Sequence, residues 1–76
     1  MRGRLPSCTA AEVARALEHG GFIFVHQKGS HRYFADPVTG DVLTTVPMHV
    51  GDISRSLLKK IIKDVELTGQ ELRELL

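Results

Sequence analysis

Three runs of β-forming residues separated by two short turns set the limits on what this chain can fold into. Phe22-Ile23-Phe24-Val25-His26-Gln27 is aromatic and β-branched, the composition of a strand. It is apolar on both faces at first and turns polar towards its end, as a strand leaving a core for an exposed edge would. Lys28-Gly29-Ser30 turns the chain, and His31-Arg32-Tyr33-Phe34-Ala35 reads as a second strand. Its period-two alternation sets His31, Tyr33 and Ala35 on one face and Arg32 and Phe34 on the other. Asp36-Pro37-Val38-Thr39-Gly40 has the chemistry of a hairpin turn: Asp36 can hydrogen-bond its own loop, Pro37 presets φ, and Gly40 takes a positive φ. Val42-Leu43-Thr44-Thr45-Val46 is the third strand, closed by Pro47, which has no N–H to give a ladder. Two successive hairpins make an antiparallel meander. The end of the first strand, the start of the second and the end of the third then lie at one end of the sheet.

Helical patterns flank this meander. Thr9-Ala10-Ala11-Glu12 is a capping box, in which the Thr9 hydroxyl accepts from the Glu12 N–H and the Glu12 carboxylate reaches back. Behind it Ala10, Val13, Ala14 and Leu17 form an apolar arc opposite Glu12, Arg15, Glu18 and His19. Gly20 and Gly21 end this helix, one of them in the left-handed conformation. After the third strand a loop leads to a second helix capped by Asp52 or Ser54. Leu57, Leu58, Ile61, Ile62 and Val65 make its apolar stripe, while Arg55, Lys59 and Lys63 recur on the opposite face with Lys60 beside them. Thr68-Gly69-Gln70-Glu71 is a second capping box. It opens a short last helix whose Leu72, Leu75 and Leu76 can pack back. The order is α-β-β-β-α with a small third helix. We expect an α+β domain over residues 1–76, with helices on one face of a three-stranded antiparallel sheet. A helix, a β meander and a basic second helix is also the plan of the double-stranded-RNA-binding fold, an analogy of architecture and not of function.

Composition narrows the function. A net charge of +1 argues neither for nor against a polyanionic partner, so the distribution of charge matters more than its sum. Arg2, Arg4, Lys28, Arg32, Arg55, Lys59, Lys60 and Lys63 are clustered, whereas Glu66, Glu71 and Glu74 crowd the C-terminal end. The N-terminus lacks the apolar stretch of a secretory signal and no run is long enough to span a membrane, so the expected location is the cytosol. One cysteine, Cys8, makes no internal disulfide and gives at most one metal ligand.

The chemistry-bearing residues gather at the first hairpin. Gln27-Lys28-Gly29-Ser30-His31-Arg32 puts a cation, a flexible glycine, a hydroxyl and an imidazole side by side. An imidazole titrates near neutrality and can take or give a proton at working pH. Cleaving RNA needs a base to deprotonate the ribose 2′-hydroxyl, which attacks the adjacent phosphorus as the 5′-oxygen leaves. Lys28, the Gly29-Ser30 backbone and Arg32 can stabilise the charge of that transition state. A surface histidine in a polar hairpin accounts for the same residues, and most short motifs of this kind are coincidental. His49 follows the third strand, so the meander returns it towards the tip as a second acid–base group, a phosphate contact or a loop histidine bonded to backbone. His26 reads as a strand-end residue with its ring in solvent, and His19 as a helix-closing cation. Arg55, Lys59 and Lys63 can bind phosphates through charge or form a solvated helix face. Tyr33, on the His31 face, can stack a base or be a half-buried sheet residue. His26, His31, His49 and Asp36 match no standard metal-ligand spacing. Three kinds of function fit these residues: an endoribonuclease, a non-catalytic RNA-binding module and a protein-interaction domain.

Gly20-Gly21-Phe22-Ile23-Phe24-Val25, then Gln27-Lys28-Gly29-Ser30-His31, then Val46-Pro47-Met48-His49 resemble the HicA family of toxins from bacterial and archaeal toxin–antitoxin modules. Leu5-Pro6 and the Ile53 to Ile62 helix fit the same pattern. Gly-Ser-His behind a cation, followed at this distance by Pro-x-His, is more specific than either half. The resemblance implies the double-stranded-RNA-binding fold and a small metal-independent ribonuclease, an mRNA interferase needing no cofactor, with His31 as the essential catalytic residue. It also implies a HicB-type antitoxin, encoded next door, that covers the active site. Where the family often carries Gly-Thr-Leu at the start of the second helix, this chain has Arg55-Ser56-Leu57, keeping a hydroxyl and losing the glycine.

Overall fold

A computed structural model describes residues 5–76; Arg2 and Arg4 lie outside them. The elements are α1 (Ala10–His19), β1 (Ile23–Lys28), β2 (His31–Ala35), β3 (Val42–Pro47), α2 (Arg55–Asp64) and α3 (Gly69–Leu75). The strands form one antiparallel sheet in the order β1-β2-β3. The α+β meander with helices on one face is therefore the observed architecture, with the short α3 as a third helix.

The helices start where their capping chemistry dictates. Thr9 and Glu12 exchange hydrogen bonds at the head of α1, and Thr68 and Glu71 do so at the head of α3. Of the two candidates at the head of α2, Ser54 is the cap, its hydroxyl accepting from the Leu57 N–H at 3.2 Å. Asp52 instead forms a lone antiparallel bridge with Thr9. The same strap is tied by a bond from the Ile53 N–H to the Cys8 carbonyl at 2.9 Å, which holds the starts of α1 and α2 together.

Helices α1 and α2 finish in one geometry with different residues. After α1, the Phe22 N–H bonds the Leu17 carbonyl and the Gly21 N–H bonds that of Glu18, with Gly21 at φ 95°. After α2, the Leu67 N–H bonds the Ile62 carbonyl and the Glu66 N–H bonds that of Lys63, with Glu66 at φ 60°. The left-handed residue between the two bonds is the position where glycine is least strained.

The core lies between sheet and helices. Phe34 and Val46 enter from the sheet, Ala10, Val13, Ala14, Ala16 and Leu17 from α1, Leu58, Ile61 and Ile62 from α2, and Leu72 from α3. Ala16 lies outside the expected arc of α1, and it is buried because α3 covers a second side of that helix. Packing there is close: a Cβ on Gly20 would meet the Leu75 Cδ1 at 2.9 Å. His19 ties the same two helix ends, its Nδ1 lying 3.1 Å from the Leu75 carbonyl oxygen. Of the three leucines expected to pack back, Leu72 is buried and Leu75 half-buried, but the last residue, Leu76, is 47% exposed. Cys8 is a buried free thiol, and burial, followed by the nearby Glu12 and Asp52 carboxylates, pushes its pKa up.

The sheet departs from its expected form at β1. All six residues of that strand are exposed, and its apolar start is not enclosed. The strand also carries an irregularity. Ile23 and Phe24 pair with Ala35 and Phe34, whereas His26, Gln27 and Lys28 pair with Tyr33, Arg32 and His31. Val25 is the extra residue of a β-bulge. Strict alternation would set Phe24 and His26 on one face; the bulge separates them. Phe24 stays beside Phe34, with ring centroids 6.0 Å apart, and His26 crosses to the other face.

Candidate active site

The two faces of the sheet have different work. Paired residues in an antiparallel ladder point to the same side. Thr44, paired with Phe34, donates its hydroxyl to Asp64 of α2 at 3.0 Å, and Phe34 and Val46 are core residues. The face of Phe24, Gln27, Arg32, Phe34, Thr44 and Val46 is thus the helix side. Lys28, His26, His31, Tyr33 and Thr45, by pairing and alternation, share the opposite face.

His31 opens β2, paired with Lys28 on one side and Pro47 on the other. It is exposed. The turn before it is built around Gly29, at φ 58°. A left-handed residue reverses the chain here, and nothing lies within 4 Å of where its Cβ would stand, so conformation and not space calls for glycine. The Gln27 amide fixes the turn, donating to the Gly29 carbonyl at 3.0 Å and accepting from the Arg32 Nε at 3.1 Å. The meander brings the segment after β3 back to this tip: the Met48 N–H donates to the Ser30 carbonyl at 2.6 Å. His49 follows, its ring 6.4 Å from that of His31 and nearly perpendicular to it, at 84°.

The other residues expected at the site are not all gathered there. Arg32 is on the helix face, held by Gln27 and with its guanidinium carbon 5.4 Å from the centre of the Phe24 ring. It is close to His31 in sequence and across the sheet from it in space. Arg55 begins α2 and donates to the Leu5 carbonyl at 3.4 Å. It borders a small open hollow with Pro6, Ser7, Ile53 and Leu58. Lys59 and Lys63 are exposed along α2, and the cations from Arg55 to Lys63 span about 12 Å, a little over two turns. Lys60 is bound to Asp64 at 2.7 Å. That bond holds the Asp64 carboxyl below its usual range, helped by the Thr44 hydroxyl and opposed by partial burial. Lys28, Gly29, Ser30, His31 and His49 therefore form one cluster at the end of the sheet, and the α2 cations form a separate band on the helix layer.

Alternation alone does not find the ring contact of His26. His26 is exposed as expected, and its imidazole also stacks on Tyr33, with centroids 4.4 Å apart and planes 17° from parallel. The signal that could have found it is the surplus residue in Phe24-Val25-His26, since a bulge is the way to keep Phe24 on the core side. Among the described residues no three His, Cys, Asp or Glu side chains gather as a metal would require, and no helix is long and apolar enough to cross a membrane.

An exposed pair of imidazoles stands at a glycine-turned hairpin at one end of a small α+β meander. The comparisons narrow this description to a family. Residues 10–67 match the family described as the HicA toxin of bacterial toxin–antitoxin systems. The chain belongs to the HicA toxin family. Among curated proteins nothing matches it.

Proposed function

We propose that this protein is an endoribonuclease toxin that cleaves mRNA with His31 as its catalytic residue and is neutralised by a HicB-type antitoxin. The observation that carries the reading is the pairing of the His31 and His49 rings, 6.4 Å apart at an exposed tip, inside the segment that matches the toxin family. A phosphoryl oxygen bonded to both rings at about 2.8 Å fits between them. Neutral His31 takes the proton of the ribose 2′-hydroxyl, and that oxygen attacks the adjacent phosphorus. The bond from phosphorus to the 5′-oxygen breaks, and protonated His49 supplies the proton that the leaving oxygen needs. The products are a cyclic phosphate and a free 5′-hydroxyl. The Lys28 ammonium, on the same face as His31, and the Gly29-Ser30 backbone stabilise the phosphorane-like charge. The step uses only groups of the chain itself and needs no metal or cofactor. Arg32, Arg55, Lys59 and Lys63 serve as longer-range phosphate contacts, which makes binding salt-dependent. The antitoxin acts by covering the tip.

Incubating purified protein with RNA in chelator tests this. His31→Ala is expected to lower cleavage at least a hundredfold, the scale of one acid–base group, and to abolish growth inhibition with the fold intact by circular dichroism. His49→Ala is expected to slow cleavage less than His31→Ala does. Undiminished cleavage by the His31→Ala protein would falsify the assignment. Intact salt-sensitive RNA binding with no cleavage by the wild type would instead identify a non-catalytic RNA-binding module.

A further inference from the structure

Two neighbouring rungs of the β1–β2 ladder face the same way and carry different chemistry. The first pairs Lys28 with His31, a cation beside an imidazole. The second pairs His26 with Tyr33, two flat rings stacked 4.4 Å apart. Adjacent same-face positions on a strand are about 6.6 Å apart, so the ring pair stands next to the proposed catalytic group. β1 is the edge of the sheet, and the outer face of the His26 ring has no further strand beside it among the described residues. Thr45, paired with Tyr33 and half-buried, adds a hydroxyl on the third strand in the same row.

From this placement we infer that the His26–Tyr33 stack is a nucleobase platform: an unpaired base flanking the scissile phosphate lies on the outer face of His26 and extends the stack, while the phosphate rests on the Lys28–His31 rung. The inference rests on the ribonuclease reading above and adds its base-binding subsite. Stacking accepts any base, because every base has a π-face, so the platform selects for single strands before it selects for sequence. A base inside a duplex is already stacked on both sides and cannot present a face to His26. The fold's kinship with double-stranded-RNA binders thus does not carry over to the strandedness of the ligand.

The test uses the full chain carrying His31→Ala, so that RNA stays whole, and a short single-stranded RNA with one fluorescent purine analogue whose emission falls on stacking. Binding of the single strand with quenching, and about tenfold weaker binding in Tyr33→Leu and His26→Ser, is the expected result. Tyr33→Phe and His26→Phe keep a ring and are expected to retain the quenching, which separates stacking from a loss of fold. The same RNA annealed to its complement is expected to bind without quenching. Unchanged affinity and quenching in both ring-deleting variants overturns the platform, as does binding of the single strand with no quenching at all. Failure of the two readings is distinguishable: if the His31→Ala protein still cleaves RNA but quenching follows the rings, the catalytic assignment falls and the platform stands.

Discussion

Asp64 is held by two donors from different parts of the chain, the Thr44 hydroxyl of β3 and the Lys60 ammonium one turn earlier on α2. Among the described residues Thr44 is the one buried polar side chain, 4% exposed, and its hydroxyl gives its proton to that carboxylate in a hydrogen bond. Thr44→Val is expected to destabilise the protein by about 1 kcal/mol, the net worth of a buried hydrogen bond, measured by urea unfolding. The pH dependence follows from the lowered Asp64 pKa. The unfolded chain takes up this proton more readily, so the stabilisation is complete above the unfolded carboxyl value near ~4 and is lost as pH falls through the lower folded value. Lys60→Gln is expected to flatten that acid limb. Since the lysine is largely exposed, the loss at neutral pH is only about 0.5 kcal/mol. An acid limb of unchanged slope would mean that Thr44 alone holds the carboxylate.

At the level of elements, the ends of α1 and α2 set up a comparison within one molecule. Both use the same pair of terminal hydrogen bonds around a left-handed residue, Gly21 in one and Glu66 in the other. Glu66→Gly is expected to stabilise the protein by up to about 1 kcal/mol, the cost of a Cβ in that conformation less the entropy glycine loses. Thermal unfolding at fixed pH reads it, and a lower midpoint would show that the Glu66 side chain has a role its backbone angle hides. Gly-Gly told the end of α1 in advance; nothing in Val-Glu-Leu told the end of α2. The same contrast holds elsewhere. The starts of α1 and α3 were legible because Thr-x-x-Glu is a local hydrogen-bond circuit. The meeting of His49 with the first tip was legible because a meander has only one way to return. The burial of Ala16, the exposure of Leu76 and the stacking of His26 were not, since each depends on a neighbour remote in sequence or on a single surplus residue. Alternation did place Arg32 opposite His31, which sets this cation apart from the histidine next to it.

For the whole molecule, the site and the core share very little. The core is closed by residues of the helix face, while His31 and the His26–Tyr33 stack occupy the other face, with the His49 ring 6.4 Å from that of His31. Changes at the tip are therefore expected to alter activity with little effect on stability, and changes such as Leu17→Ala, at a fully buried position, the reverse. A truncation of that kind costs about 2–5 kcal/mol, a large share of what a domain this small has available. Equal loss of stability in His31→Ala and Leu17→Ala by chemical unfolding would contradict this division.

The bulge at Val25 bears on how copies of this chain meet one another. Ile23, Phe24 and Val25 are 48%, 42% and 44% exposed on an edge strand, an apolar margin onto which another chain can zip. An extra residue breaks the even spacing of the outward N–H and C=O groups and spoils that template. Deleting Val25 leaves Ile23 opposite Ala35, Phe24 opposite Phe34 and His26 opposite Tyr33, so the ladder inside the molecule survives while its outer margin becomes regular. Light scattering that climbs with concentration is expected in the deletion and not in the wild type; equal solubility would show that Lys28 and the strand's twist guard the margin by themselves. On this expectation one surplus residue works against fibril growth along the apolar border of the sheet.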